Sequence, residues 1–407
     1  MSYATTLRCR KCGREYPLEP LNLCDFCLSP LEVNYDYKAM AAAVSRDKLS
    51  SGPPGMYRYR DLLPVEIDPI DIGTGFTPLV KADNLGRELG LDNLYIKNDG
   101  LNPSFSFKDR VVSVAATKAI EFGFGAISCA STGNLAASVA AHAAKANIKA
   151  YVFVPSSAVP GQLVGAAIYN PVLLTVDGSY DDVNRLCRQL TEKYPWGFIN
   201  INLRPYYAEG SKTLGYEVAE QLGWRAPDCV VAPAASGLVF TRIWKGLDEM
   251  SMLDLIEPPD THMYVAQAAG SSPIVNAFET GSLHVHPVVP DTIAKSIAIG
   301  NPADGYYALR VARQTGGGAS AVTDEEAIAG LRLLAETEGI FSEAAGGVVI
   351  GAVKKLATAG HIKREQITVA FITGAGPRTQ EILTDIVKPL AIKPTVESVE
   401  ELLNLSV

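Results

Sequence analysis

The sequence predicts an α/β protein built on parallel sheets, with a small cysteine ribbon at its N-terminus. Three observations predict it. From Leu62 onward, short β-like runs alternate with helical patterns, the arrangement that yields parallel sheets covered on both faces. The intervening helices are alanine-rich, as in NLAASVAAHAAKA, or amphipathic, as in YDDVNRLCRQLTEKY. Four of the seven cysteines crowd into the first 27 residues as two Cys-x-x-Cys pairs.

The ribbon comes first. Cys9 and Cys12 form one pair, Cys24 and Cys27 the other, and Gly13 suits the tight turn after the first. Two such knuckles predict a tetrahedral zinc site; a ribbon held by packing alone is the alternative. Four thiolates leave no open position for a water, so the metal would be structural. The other cysteines, Cys129, Cys187 and Cys229, lie in apolar runs and read as core residues. Nothing resembles a secreted disulfide framework.

The expected strands are NLYIKND, GAISCAS, IKAYVFVPS, VLLTVDG, GFININL, CVVAPAAS, HMYVAQAAG and ITVAFITGAG. Length, 407 residues, suggests two or three domains. With 47% hydrophobic and 20% charged residues the chain can bury a large core. A net charge of −8 argues against a nucleic-acid or anionic-membrane binder. No apolar run is long enough to span a membrane. The opening residues, MSYATTLRCRKCG, lack the apolar core of a signal peptide, so a cytoplasmic protein is expected.

In open α/β sheets ligands bind beyond the carboxyl ends of the strands, and four turns there carry candidate chemistry. In NPSFSFKDR, Lys108 enters a helix with Phe105 and Phe107 beside it. Apolar surroundings favour the neutral, nucleophilic amine; a solvated lysine at a helix start is the plain alternative. Ser131-Thr132-Gly133-Asn134 links a strand to a helix and suits a carboxylate or phosphate, or simply caps that helix. The small residues Ala234 to Gly237 let backbone N–H groups converge on a phosphate, although the glycine spacings of the nucleotide fingerprints are absent. Thr373, at a strand end, can meet a heteroaromatic nitrogen or cap a turn. Together these are the parts needed to hold pyridoxal phosphate by aldehyde, phosphate and ring nitrogen.

At these residues the chain resembles the threonine synthases, pyridoxal-phosphate enzymes of the tryptophan-synthase-β fold type (fold type II). The resemblance runs over nearly the whole chain, through TPLVKADNLGRELGLDNLYIKNDGLNPSFSFKDR, STGN, YAEGSKTLGYEVAEQLGW, IAKSIAIGNPADGYY, TEGIFSEAAGG and ITGAGPRTQE. It implies two parallel-sheet-containing domains plus the ribbon: residues 1–36 as the ribbon, 37–108 as an arm and the first part of a large cofactor domain, 109–202 as a smaller α/β domain, and 203–407 as the remainder of the large one. Lys108 would bind the cofactor as a Schiff base and shuttle protons. Asn134 would meet the ring hydroxyl. Ala235, Ser236, Gly237, Leu238 and Val239 would hold the cofactor phosphate, and Thr373 the pyridine nitrogen. Ser131, Thr132 and Asn134 would line the substrate carboxylate site. Arg204, Lys212 and Lys97 are the candidates for the substrate phosphate.

The reaction implied is conversion of O-phospho-L-homoserine and water to L-threonine and phosphate, by a cytoplasmic homodimer. Two departures from the family pattern bear on the substrate. Ser104-Phe105 stands where threonine and glycine are commoner, and the phosphate loop carries the single glycine Gly237. The competing readings are a cysteate synthase using O-phospho-L-serine and sulfite, and a threonine dehydratase, which needs no phosphate pocket. A zinc-ribbon nucleic-acid binder is disfavoured by the acidic pI of about 5.3, and a dead cofactor-fold regulator by the intact lysine, asparagine and threonine.

Overall fold

The computed structural model describes residues 2–158, 160–178, 180–386 and 388–403. Its strands, in chain order, are β1 (Ala4–Cys9), β2 (Glu15–Tyr16), β3 (Leu31–Tyr35), β4 (Leu79–Lys81), β5 (Leu94–Asn98), β6 (Ala126–Ala130), β7 (Lys149–Pro155), β8 (Val172–Val176), β9 (Trp196–Phe198), β10 (Cys229–Pro233), β11 (His262–Ala268), β12 (Gly318–Val322) and β13 (Thr368–Ile372). They form three sheets: β2-β1-β3, then β12-β11-β10-β13-β5-β4, then β8-β7-β6-β9. The ribbon sheet is antiparallel. The other two are parallel except for the edge pair β4–β5. Each of the eight expected strands has a counterpart, although GFININL is strand only as far as Phe198 and turns from Ile199 onward, and the two large sheets give the α/β architecture predicted.

The central strands are buried along their whole length: CVVAP, TVAFI and AISCA show no exposed position. Parallel strands covered by helices on both faces need this. The helices Asp324–Glu338 and Ala344–Thr358 cover one face. They approach closely because glycines meet at the crossing; a Cβ on Gly330 would come within 2.5 Å of the Gly347 carbonyl. Thr323 and Glu326 start the first of these helices with a reciprocal capping box.

The ribbon docks on two helices that also serve the site. Tyr35 donates to Glu209 at 2.7 Å, Tyr37 to Glu249 at 2.8 Å, and Tyr206 to the Glu19 carbonyl at 2.9 Å. These partners lie on the helices Arg204–Gly210 and Leu238–Met252.

Two ionic networks are buried within the molecule. In the first, Arg110 bonds both Asp99 and Glu217, and Lys97 bonds Glu217 at 2.6 Å. Two cations face two anions, so the group closes without net charge. Burial alone would raise the Glu217 carboxyl; Arg110 and Lys97 outweigh it and hold it at about 2. In the second, Lys212 lies 2.6 Å from Glu209 and 2.9 Å from Glu249, with Arg242 also on Glu209.

Candidate active site

The site forms where the ends of β10, β13 and β6 meet the loop that carries Lys108. That loop is zipped to the chain leaving β13. Phe107 N–H donates to the Thr373 carbonyl at 2.9 Å, and Ala375 N–H to the Phe105 carbonyl at 2.9 Å. Ser106 bridges Gly374, and Ser342 bridges Ala375. These backbone bonds place Lys108 beside Thr373, far apart as the two are in sequence.

Lys108 opens the helix Lys108–Glu121. Its Nζ lies 2.8 Å from the Tyr207 hydroxyl and 4.4 Å from the centre of the Phe107 ring. It forms no ion pair among the described residues, unlike Lys97 and Lys212. A lysine with a phenol and an aromatic face for neighbours is free to attack a carbonyl. Only one of the two expected flanking rings contributes. Phe105 is 52% exposed and adopts a left-handed backbone, φ +67°. That conformation explains why a glycine suits this position, and why the phenylalanine here carries strain.

Asp109 and Arg110 hold the lysine's helix in place. Asp109 accepts from the Ser104 hydroxyl at 2.5 Å, the Ser104 N–H at 2.7 Å and the Ser138 hydroxyl at 2.6 Å. Arg110 anchors the next position through the neutral network described above.

Asn134 starts the helix Asn134–Ala146, whose N-cap position is Gly133 with no side-chain cap bond. The expectation of a Ser, Thr or Asn cap is therefore corrected. The consequence favours a ligand: the Thr132 and Asn134 N–H groups have no acceptor among the described residues. The Asn134 side-chain amide donates to Glu343 at 3.1 Å. Glu343, 2% exposed, also accepts from Ser296 at 2.9 Å, and its backbone N–H bonds the Gly374 carbonyl at 3.0 Å. Glu343 and Tyr207 lie inside segments that carry the family resemblance, TEGIFSEAAGG and YAEGSKTLGYEVAEQLGW, but neither residue stands out there as a site residue. An acidic residue at the start of an apolar helical run, as in SEAAGGVVIGAV, was the available signal.

The turn after β10 runs from Ala234 to the helix Leu238–Met252, with Gly237 at φ +88°. The N–H groups of Ala235, Ser236, Gly237, Val239 and Phe240 have no acceptor among the described residues. That set suits a phosphate. Just past the neighbouring strand β13, the Thr373 side chain is 3% exposed and its hydroxyl is bonded to no described residue, which leaves it for a ring nitrogen. Lysine, threonine hydroxyl and open N–H groups thus fit pyridoxal phosphate at three separate points.

The expected ligands of the substrate phosphate are not brought together. Lys97 and Lys212 are wholly buried, and each ammonium is spent on internal carboxylates, Glu217 for the one and Glu209 with Glu249 for the other. Neither has a donor left for a ligand. Arg204 pairs with Asp304 through Nη2 and keeps a fifth of its side chain exposed.

The ribbon's four sulfurs lie within 4.8 Å of one another. Cys9 and Cys27 are 3.4 Å apart, Cys12 and Cys24 3.6 Å. Zn–S bonds of about 2.3 Å in a tetrahedron require edges of about 3.8 Å, so the thiol set fits zinc. Gly13 takes the left-handed turn after the first knuckle at φ +76°, and Leu28 takes it after the second at φ +55°.

Comparison with known proteins agrees with this geometry. Residues 70–374 match the family model described as pyridoxal-phosphate dependent enzyme. The chain is 36% identical to a threonine synthase of Methanosarcina acetivorans over 97% of its length and 98% of that protein. It is 38% identical to a threonine synthase of Methanocaldococcus jannaschii over 91% and 92% of the two chains. Among solved structures, maize serine racemase superposes with a TM-score of 0.63 at 18% identity, covering 77% of this chain and 92% of that one. A threonine deaminase from Solanum lycopersicum gives 0.64 at 18% identity, covering 87% and 93%. These structural likenesses show the fold.

Proposed function

We infer from one premise, that the chain belongs to the pyridoxal-phosphate dependent enzymes and within them to the threonine synthases, that it converts O-phospho-L-homoserine and water to L-threonine and phosphate. The observation that carries the reading in the structure is the convergence of Lys108, the Thr373 hydroxyl and the open N–H groups of Ala235, Ser236, Gly237, Val239 and Phe240 at adjoining strand ends.

The bound cofactor supplies an electron sink that makes the substrate's carbon-bound protons acidic. The chain's residues do the rest. Lys108 would take one proton from Cα and one from Cβ, and phosphate would leave Cγ with the electrons of the Cγ–O bond; Lys108 would then return one proton to Cγ and, once water has added its hydroxyl at Cβ, the other to Cα, while the water's second proton goes to the released phosphate. Tyr207 orients the lysine from one side and Phe107 packs on the other. Glu343 fixes the rotamer of Asn134, which meets the cofactor's ring hydroxyl. Ser131, Thr132 and Asn134 receive the substrate carboxylate. The substrate phosphate falls to Arg204, whose guanidinium has donors beyond the one given to Asp304.

Zinc on Cys9, Cys12, Cys24 and Cys27 belongs to the same proposal, supported by the sulfur spacing. Metal analysis of protein purified without chelator is expected to read one zinc per chain, and a value near zero would leave the ribbon to packing alone. The division at 108 and 202 is supported by the four-stranded sheet, which lies wholly within 109–202, and that at 36 by the three-stranded ribbon sheet, which ends at Tyr35. Assembly as a cytoplasmic homodimer rests on the family resemblance; among the described residues no helix is long and apolar enough to cross a membrane.

Substrate choice tests the reading directly. A phosphate on Cγ and one on Cβ differ in position by roughly a C–C bond length, and errors of about 1 Å cost ~100-fold in rate. O-phospho-L-homoserine is expected to release phosphate at least about 100-fold faster than O-phospho-L-serine, with or without sulfite. Equal turnover of the two would overturn the assignment in favour of a cysteate synthase.

A further inference from the structure

The reaction drawn above uses nothing from the ribbon, yet one ribbon side chain reaches the back of the cofactor-phosphate loop. Arg10 lies between Cys9 and Cys12. Its guanidinium carbon sits 3.6 Å from the centre of the Tyr307 ring, and its Nη1 is 2.6 Å from Asp304 Oδ1. The second oxygen of Asp304 takes Nη2 of Arg204. Asp304 is the N-cap residue of the helix Gly305–Gln314, a position where aspartate ordinarily caps with its side chain. Here the side chain makes no cap bond; the carboxylate is given to the two arginines instead.

The backbone of the same residue supports the loop. Asp304 N–H donates to the Ser236 carbonyl at 2.8 Å. Its own carbonyl lies so close to Gly237 that a Cβ there would come within 2.9 Å. Asp304 is 2% exposed. An unbroken path of contact therefore runs from the first knuckle through Arg10 and Asp304 to Ser236 and Gly237.

We propose that the ribbon braces the cofactor-phosphate loop, with Arg10 and Asp304 as positioning residues that set how tightly the cofactor phosphate is held. This rests on the assignment of residues 235–239 to that phosphate. The physical reason is preorganisation. Several N–H groups must point at one anion, and a loop that has to be ordered on binding loses affinity to that ordering. Arg10 acts from a fixed base, since Cys9 N–H bonds the Arg14 carbonyl at 2.8 Å and Arg10 N–H the Pro30 carbonyl at 3.2 Å.

The test is cofactor release from the holoenzyme, followed as loss of visible absorbance on dilution, together with the ³¹P resonance of the bound phosphate. Arg10→Ala is expected to raise the cofactor dissociation constant about tenfold, the loss that one charge-assisted hydrogen bond represents, and to move the resonance. Arg10→Lys should recover part of both. Asp304→Asn keeps the shape and the backbone bond to Ser236 but loses the charge, and should shift both readouts in the same direction. Arg14→Ala removes an exposed ribbon pair with Asp25 and should change neither. Wild-type dissociation and resonance in folded Arg10→Ala or Asp304→Asn would overturn the brace. Gly237→Val separates this from the assignment beneath it: a valine enzyme that holds the cofactor as wild type does would remove residues 235–239 from the phosphate site altogether.

Discussion

Lys108→Ala is expected to leave a folded protein that no longer holds its cofactor covalently and turns over about 10³-fold more slowly or worse, as loss of a nucleophile that is also the proton carrier does. The fold should survive because the side chain makes one hydrogen bond, to Tyr207, and no ion pair among the described residues. Asp109 and Arg110 secure the same helix without it. Borohydride reduction of the wild type should fix the cofactor on the peptide that contains Lys108. The buried lysines make this sharp: Lys97 and Lys212 have their ammonium groups within 2.6 Å of carboxylates. A label on either would mean that the site has been placed wrongly.

Arg110→Met should have the largest effect on stability. Arg110 is wholly buried and bonds Asp99, Glu217, Thr213 and Thr77. Removing it strands two carboxylates with only Lys97 for company. Breaking a buried pair in this way costs about 3–5 kcal/mol, which a thermal or denaturant melt would register; a loss under about 1 kcal/mol would be the value of a surface pair and would refute the account. Acid provides a second readout. The Glu217 carboxyl sits at about 2 in the folded chain against an ordinary 4.5. A depressed carboxyl contributes stability that is complete above 4.5 and is lost as pH falls toward 2. The variant should show a shallower acid slope in that window, because burial, which raises the carboxyl, is then opposed by Lys97 alone.

The strands were legible in the sequence because burial on both faces writes itself as short apolar runs. Those missed are explicable. β12, GASAV, alternates buried and half-buried positions, but with residues too small to register as an apolar run, and β4 is a three-residue antiparallel edge with no fully buried position. The turns at the ends of β6, β10 and β13 were legible because small and hydroxyl residues follow directly on strands. Lys97 and Lys212 lie in internal ion pairs rather than facing a ligand, and the sequence hides this for a definite reason. A lysine's sequence neighbours do not reveal its partners in space. Glu217 stands 120 positions from Lys97, and Glu249 stands 37 positions from Lys212; Glu209, three positions before Lys212, is a partner that helical spacing does offer. Asn134 and Glu343 lie 209 positions apart, so no local pattern could have joined them. Arg10 and Asp304 are the extreme case, 294 positions apart.

The position of β13 has a consequence for how the molecule is made. This strand, the last among the described residues, lies in the middle of the six-stranded sheet, between β10 and β5, and the lysine loop is stitched to the residues that follow it. Domains generally fold as units while synthesis proceeds from the N-terminus. Until the ribosome has released Thr368–Gly376, however, the sheet has a gap at its centre and Lys108 has nothing to hold its loop. A nascent chain can complete its ribbon and its four-stranded sheet early, but the reactive amine is set in place only after β13 has been made, and a chain cut short before β13 is left without the strand that joins the two halves of its large sheet.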